Sequence, residues 1–378
     1  MAEVGITDAN SLFDFVAKKG YGIKGLVDSG IVEVPPLYIQ PPYERVTKKI
    51  SHPNTNFNHH ASVPIDLSKL DGPDNDKVVE AIVRAAETLG FFQVTNHGID
   101  LDLLDSLPEA AHRFFEQPAE VKAGFLKGVS PTPLVKYATS FAPEKEKFLQ
   151  WRDYINMTYT NDADAEKYWP DVCKRELVEY IKSSHKMVLQ LFKILIENLG
   201  VTMEESKFES LIGTKVVNMN YYPACPNPEV TIGVKRHSDI GILTVLAQDD
   251  IGGLYVKVSD DDDTQEEGKK EEWIEIPPIP SALVVNIGDS LQILSNGRYK
   301  SPEHKVRTTN EKARVSIPHF VAPRPSQKIG PLPQLVKHDG GALYREVLYE
   351  NYMKNFFSQA HEGKNALEFA EINRHNQG

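Results

Sequence analysis

The run Arg236-His237-Ser238-Asp239 sets an imidazole and a carboxylate two residues apart. Residues at that spacing in a strand project to the same face, so both side chains can point at one ion. About 65 residues further on, Glu303-His304-Lys305 offers a second imidazole. Two histidines and one carboxylate make the facial donor set that suits Fe(II) in oxygen chemistry, with the rest of the coordination sphere left open. Taken alone, the His-x-Asp is also compatible with an ordinary strand carrying a satisfied histidine.

Two further groups narrow the chemistry. Ten residues after His304 stand Arg314 and Ser316, again two apart. A guanidinium and a hydroxyl on one face can hold a carboxylate, the guanidinium in bidentate fashion. Upstream, Asn220 and Tyr222 in Asn220-Tyr221-Tyr222-Pro223 offer an amide and a phenol beside the same pocket. A surface salt bridge for Arg314 and an aromatic core position for Tyr222 are the plain alternatives. The order in which all these groups occur favours one shared site.

The elements that must position them follow from texture. From about Lys215, short β-rich runs alternate with turn signals: VVNMNYYP, GILTVLAQ, GLYVKV, WIEIP, ALVVNIG, LQILS, KVRTT and RVSIPHFVAP. That rhythm predicts an all-β sandwich or jelly roll. Before it, residues 76–90, 101–117 and 171–200 carry apolar positions at helical spacing, and Gly90 closes the first of these helices. We therefore expect a mostly β core with flanking helices, a double-stranded β-helix. The divisions are 1–60 as extension and linker, 61–205 as a helical region, 206–325 as the jelly-roll core and 326–378 as a helical segment. The linker holds His52, His59 and His60, read as a solvated loop, and the acidic run 259–272 reads as a solvated hairpin tip.

Composition excludes several classes. The chain has 378 residues and a net charge of −11, which disfavours nucleic acid and anionic lipid as partners. Two cysteines cannot build a disulfide framework and point to a reducing compartment. No apolar run of about 18 residues is present to span a membrane, and the opening residues do not read as a secretory leader. We expect a cytoplasmic monomer that acts on a small molecule.

The order NYYPACPNP, HSD, YKSPEHKV and RVSIPHF closely resembles the plant 2-oxoglutarate- and Fe(II)-dependent dioxygenases, and ETLGFFQVTNHGI resembles their amino-terminal region. The resemblance implies a double-stranded β-helix with His237, Asp239 and His304 as iron ligands. It implies that Arg314 and Ser316 bind the C5 carboxylate of 2-oxoglutarate, with Tyr222 and Asn220 assisting. Dioxygen would be the second co-substrate, and ascorbate would help. The stretches KGYGIKGLVDSGI, YIQPPYER, YATSFAPEKEKFLQWRDY and IGPLPQLV resemble the group that hydroxylates feruloyl-CoA and scopoletin. This implies hydroxylation of a phenylpropanoid ring, either a coumarin or a hydroxycinnamoyl-CoA ester, in coumarin biosynthesis. Lys235 and His319 depart from that group and adjoin the site strands, where either could retune substrate choice.

Phe320, Phe141, Trp151 and Ile240 are the candidate walls for an aromatic substrate, by residue type and position. Phe320 follows Ser316 by four residues, which keeps it on the same strand face. An alkaloid or flavonoid oxygenase is the alternative enzyme, by hydroxylation or demethylation. A cupin-like metal-binding protein is the alternative outside catalysis, and such a passive site has no use for the Arg314–Ser316 clamp.

Overall fold

Branched and aromatic side chains alternate with polar ones through the second half of the chain, the composition that pleated strands favour. A computed structural model describes residues 6, 8–45, 63–141, 143–258, 272–358 and 365–372. The acidic residues 259–271 lie outside the described residues, as do His52, His59, His60, His361 and His375.

Twelve strands build two facing sheets: β1 Ile65–Asp66, β2 Phe91–Thr95, β3 Val135–Thr139, β4 Asp153–Tyr159, β5 Thr214–Tyr222, β6 Val234–His237, β7 Leu243–Gln248, β8 Leu254–Lys257, β9 Trp273–Ile276, β10 Leu283–Ile287, β11 His304–Val306 and β12 Arg314–Ala322. The large sheet runs β1-β2-β10-β7-β12-β5-β4-β3, and the small one runs β6-β11-β8-β9. Their inner faces meet in an apolar cluster. Phe91, Tyr222 and Val284 come from the large sheet, and Val234, Leu254, Val256, Ile274, Ile276 and Val306 from the small one. This is the jelly roll that the strand rhythm predicts, and two strands of its large sheet, β3 and β4, come from 135–159.

The outer face of the large sheet is packed by helices. The expected helices form over Asn75–Glu87, Leu101–Phe115 and Lys174–Asn198. Gly90 follows the first with φ +70°, and its N–H donates to Ala85 O. A Cβ there would lie 2.2 Å from Lys300 O, so glycine is required on steric grounds as well. The helix Lys174–Asn198 buries Tyr180, Ile181, Val188, Leu191 and Leu195 against this face. The Tyr180 hydroxyl lies 3.1 Å from Val245 O and 3.3 Å from Ile317 O, spanning two neighbouring strands.

One run departs from the expected strands. LQILS reads as a strand but lies in the helix Asp289–Leu294. Its first free N–H groups are satisfied by carbonyls across the fold: Asp289 N donates to Asp239 O at 2.7 Å and Ser290 N to Gly241 O at 3.0 Å. Gly288 permits this approach, since a Cβ there would meet Gly241 O at 2.3 Å. Among the described residues no helix is long and apolar enough to cross a membrane. Cys173 and Cys225 are free and buried.

The amino-terminal segment is anchored by one side chain. The Asp153 carboxylate accepts from Ile23 N at 2.8 Å and Lys24 N at 2.9 Å, the start of the helix Gly22–Asp28. Gly22 has φ +70°, and a Cβ there would come within 2.5 Å of Asp153 Oδ2 and the Tyr137 hydroxyl. Trp151 is completely buried beside this anchor, in a cluster with Tyr38, Leu149 and Cys225. Its ring meets Tyr38 edge-on at 5.2 Å, and its Nε1–H donates to Pro223 O at 3.0 Å. It packs the amino-terminal segment and forms no wall of the substrate pocket, which corrects the sequence expectation.

His319 is a second correction. It is fully buried on the outer face of β12, with Nδ1 and the Ser184 hydroxyl 2.8 Å apart, so it faces the long helix and cannot touch a substrate. Burial, with help from the nearby His185 and Lys215, pushes it down to about 3 from an ordinary 6.5. His185 is also half-buried and pushed down to about 4. The unfolded chain takes up these protons near 6.5 and the folded one does not until far lower pH. Stability is therefore intact above 6.5 and lost as pH falls toward 3. The loss is up to about 1.4 kcal/mol per pH unit for the fully buried His319 and less for His185, which solvent screens. We expect His319→Leu to flatten the fall of the urea midpoint between neutral pH and pH near 5, without removing the share due to His185.

Candidate active site

The small sheet carries both histidines. β11 pairs with β6 so that His304 lies directly opposite His237. Their rings lie 4.2 Å apart between centroids. Asp239 falls just past the end of β6, in the turn held to the helix Asp289–Leu294, so this turn completes the pairing that the spacing expected of a strand. Its Oδ1 is 3.8 Å from His237 Nε2 and 3.9 Å from His304 Nε2. Ligand atoms of all three residues lie within 4.8 Å of one another, and no other such group of histidine, cysteine and carboxylate occurs among the described residues.

Each donor is prepared by its neighbours. His237 Nδ1–H donates to Lys235 O at 2.8 Å, and His304 Nδ1–H to Pro302 O at 3.3 Å, which leaves both Nε2 lone pairs facing inward. Asp239 Oδ2 accepts from the Thr244 hydroxyl at 2.6 Å and Asn286 Nδ2 at 2.9 Å, which leaves Oδ1 for an ion. Burial, with the charge of His304, pushes His237 down to about 3 and favours the neutral, ligating form. Burial alone would raise Asp239, but the two imidazoles and the two hydrogen bonds outweigh it and keep it ionised. The Phe91 ring meets His304 edge-on at 5.3 Å and closes the site on that side.

The large sheet supplies the rest. The β12 register sets Arg314 opposite Tyr222 and Ser316 between Asn220 and Gln248. Arg314 is buried, and its guanidinium lies 5.1 Å over the Tyr222 ring. Nη2 donates to Gln248 Oε1 at 2.9 Å, while Nε and Nη1 are buried without a partner among the described residues. A buried cation with two idle donors is costly without an anion to fill the gap. Asn220 Nδ2 reaches the Ser316 hydroxyl at 3.5 Å. The surface-salt-bridge reading of Arg314 is thus excluded.

The inner face also opens a cleft. Along β4, half-buried Tyr154, Asn156 and Thr158 alternate with fully buried Ile155 and Met157. Phe320 is half-buried on the same inner face, opposite Thr244 on β7 and Val216 on β5. Ile240 is half-buried after Asp239, with its carbonyl accepting from the Ser290 hydroxyl at 2.6 Å. Phe141 meets Phe356 and Phe357 of the helix Tyr349–Ser358, each at 5.9 Å. Its backbone N–H donates to Glu146, whose carboxylate lies 3.5 Å from Lys235 Nζ. Lys235 is therefore anchored by Glu146.

Sequence reasoning missed Thr244, Asn286 and Gln248. All three are polar residues on inner positions of β-rich runs, and an unpaired polar residue in such a run was the available signal.

Residues 213–323 match the 2OG-Fe(II) oxygenase superfamily, and residues 64–177 match the family described as non-haem dioxygenase in morphine synthesis N-terminal. Scopoletin 8-hydroxylase of Arabidopsis thaliana is 54% identical over 367 residues, covering 97% of this chain and 99% of its own. Feruloyl CoA ortho-hydroxylase 1 of Arabidopsis thaliana is 44% identical over 360 residues, covering 95% of each. A crystal structure of JOX2 in complex with 2OG, Fe and JA is similar with a TM-score of 0.78 at 32% identity, covering 93% of this chain and 97% of that one.

Removing one support of the carboxylate tests the centre. Asn286→Ala should weaken Fe(II) binding by about 10–100-fold, the usual cost of losing a partner behind a ligand. Anaerobic Fe(II) titration reads the affinity, and thermal unfolding confirms that the fold survives.

Proposed function

The chain belongs to the 2OG-Fe(II) oxygenase superfamily and is a 2-oxoglutarate-dependent dioxygenase using Fe(II), and from that membership we propose that it hydroxylates the ring of a phenylpropanoid in coumarin biosynthesis. The acceptor we favour is a free hydroxycoumarin such as scopoletin. Identity supports this choice, at 54% to the scopoletin enzyme against 44% to the feruloyl CoA enzyme. Both are hydroxylases by name, which supports hydroxylation over demethylation.

The observation that carries the site assignment is Arg314, buried with two idle donors on the strand that also carries Ser316, on the inner face that meets the sheet of His237 and His304. A dicarboxylate fits that gap, and a converging set of two Nε2 atoms and one carboxylate oxygen fits a divalent iron. His237, Asp239 and His304 would hold the metal. Arg314 and Ser316 would take the distal carboxylate of 2-oxoglutarate, Tyr222 would support the guanidinium through its ring, and Asn220 would orient the Ser316 hydroxyl. Bound iron and 2-oxoglutarate would supply the oxidising power, one oxygen atom of dioxygen ending in succinate as carbon dioxide is lost and the other on the acceptor.

The protein's own work is orientation. Lys235 O and Pro302 O fix the imidazole tautomers, and Thr244 and Asn286 fix the carboxylate. Phe320 offers one face to an aromatic ring from the strand that also holds the clamp. The whole constellation comes from one chain, which supports a monomer as the working unit. Free buried cysteines support the reducing cytoplasm as its location.

Two measurements test this reading. Succinate release should require 2-oxoglutarate and Fe(II) and should be stimulated by hydroxycoumarins more than by hydroxycinnamoyl-CoA esters, flavonoids or alkaloids. Arg314→Lys should raise the 2-oxoglutarate requirement about tenfold or more, because a point charge cannot reproduce a two-pronged contact worth ~1.5–3 kcal/mol. Unchanged 2-oxoglutarate affinity in that variant would move the clamp elsewhere.

Phe320→Ala should weaken acceptor binding several-fold, since an offset aromatic pair is worth about 0.5–1.5 kcal/mol, and should leave 2-oxoglutarate binding near wild type. Separate anaerobic titrations of the two ligands distinguish these effects. An equal loss of both would remove Phe320 from the acceptor wall.

A further inference from the structure

A second guanidinium faces the same cleft. Arg152 directly precedes β4, and the register that pairs Asp153 with Tyr221 continues by one residue to bring Arg152 level with Tyr222. Tyr222 in turn lies opposite Arg314. The two arginines thus flank one tyrosine across three neighbouring strands, two strand spacings or roughly 10 Å apart.

Arg152 is buried, with 7% of its surface exposed. Nη1 donates to Asn220 Oδ1 at 3.2 Å, and the guanidinium lies 4.7 Å over the half-buried Tyr154 ring. Nε is buried without a hydrogen-bond partner, and no carboxylate among the described residues pairs with the guanidinium. Other acidic groups are engaged elsewhere. Glu146 receives the Ser140 hydroxyl, Phe141 N and Lys235 Nζ, and Asp153, the next residue, projects to the opposite face to hold Ile23 and Lys24. A cation without a carboxylate partner therefore lies on the inner face beside β4, on the far side of Tyr222 from Arg314.

We propose that Arg152 is a specificity residue that binds an anionic oxygen, a phenolate or carboxylate, on the aromatic acceptor. Tyr154 and Asn156 line the approach, and Asn220, bonded to both Arg152 and Ser316, lies between the acceptor and co-substrate sites. The acceptor is then held at its charged end by Arg152, with its ring turned toward the iron and Phe320. A neutral ether or ester of the same ring lacks this hold. The inference rests on the aromatic-acceptor reading above and adds the charge state in which the acceptor binds.

The test uses the anaerobic Fe(II) enzyme with 2-oxoglutarate bound. Acceptor affinity is measured by fluorescence for scopoletin and its phenol methyl ether, above the pKa of the phenol. Wild type should prefer the anion by about tenfold or more, the range of a charge-assisted contact. Arg152→Gln should bring the ratio near one while 2-oxoglutarate affinity changes little. Arg152→Lys, which keeps the charge, should retain part of the preference and serves if the glutamine variant does not fold. An unchanged ratio in both variants would overturn the proposal, as would an equal loss of 2-oxoglutarate affinity, which would assign Arg152 to the co-substrate. If wild type binds neither coumarin, the substrate reading fails separately. Arg152 is then judged on simple aromatic carboxylates and phenolates against their esters and ethers, and equal wild-type affinity for charged and neutral members overturns it.

Discussion

A carboxylate shut away from water has to be surrounded by donors, and much of this structure serves that need for Asp239. Thr244 from β7 and Asn286 from β10 give it hydrogen bonds on one oxygen, and the two imidazoles of β6 and β11 face the other. These elements belong to both sheets, so the charge ties the sheets together at the mouth of the roll. Its backbone is fixed as firmly, since Asp239 O and Gly241 O accept from the first N–H groups of the helix Asp289–Leu294. Asp289 is itself buried and holds the hydroxyls of Ser238, Ser301 and Tyr352, so the helix Tyr349–Ser358 is tied to the same corner.

The large sheet keeps two chemistries apart by pleat alone. Odd residues of β12, from Val315 to Val321, face the helices and are buried, and Tyr180 reaches the carbonyls of Val245 and Ile317 from that side. Even residues carry Arg314, Ser316 and Phe320 into the roll. Pro318 interrupts this central strand: the register with β5 runs through Ser316 and resumes at His319. A proline in a central strand removes a ladder hydrogen bond, and here the gap falls beside the half-buried Asn156–Asn218 pair, where the cleft opens.

Much of this was legible in the sequence because it depends on spacing. His237 with Asp239, Arg314 with Ser316 and the later Phe320 all follow a period of two, and strand alternation carries them to one face. The helices with glycine stops were legible for the same reason. What depends on tertiary context was not. LQILS is apolar enough for a strand but lies in a helix whose first two N–H groups, of Asp289 and Ser290, are accepted by distant carbonyls. Trp151 has the type of a pocket wall, yet the amino-terminal segment covers it. His319 is adjacent in sequence to Phe320 and so lies on the other face. Thr244, Asn286 and Gln248 carry no motif, since their role comes from strand order and not from sequence distance.

Arg152 and Asp153 are neighbours that point to opposite sides of one strand, the first into the cleft and the second onto the N–H groups of Ile23 and Lys24. The peptide between them joins the docking of the leading segment to one wall of the reaction chamber. Gly22 leaves no slack in that joint. A change in how the residues around Gly22 dock on Asp153 is therefore passed along one peptide to Arg152, so the chamber wall can be reset from outside the chamber without any change among the iron ligands.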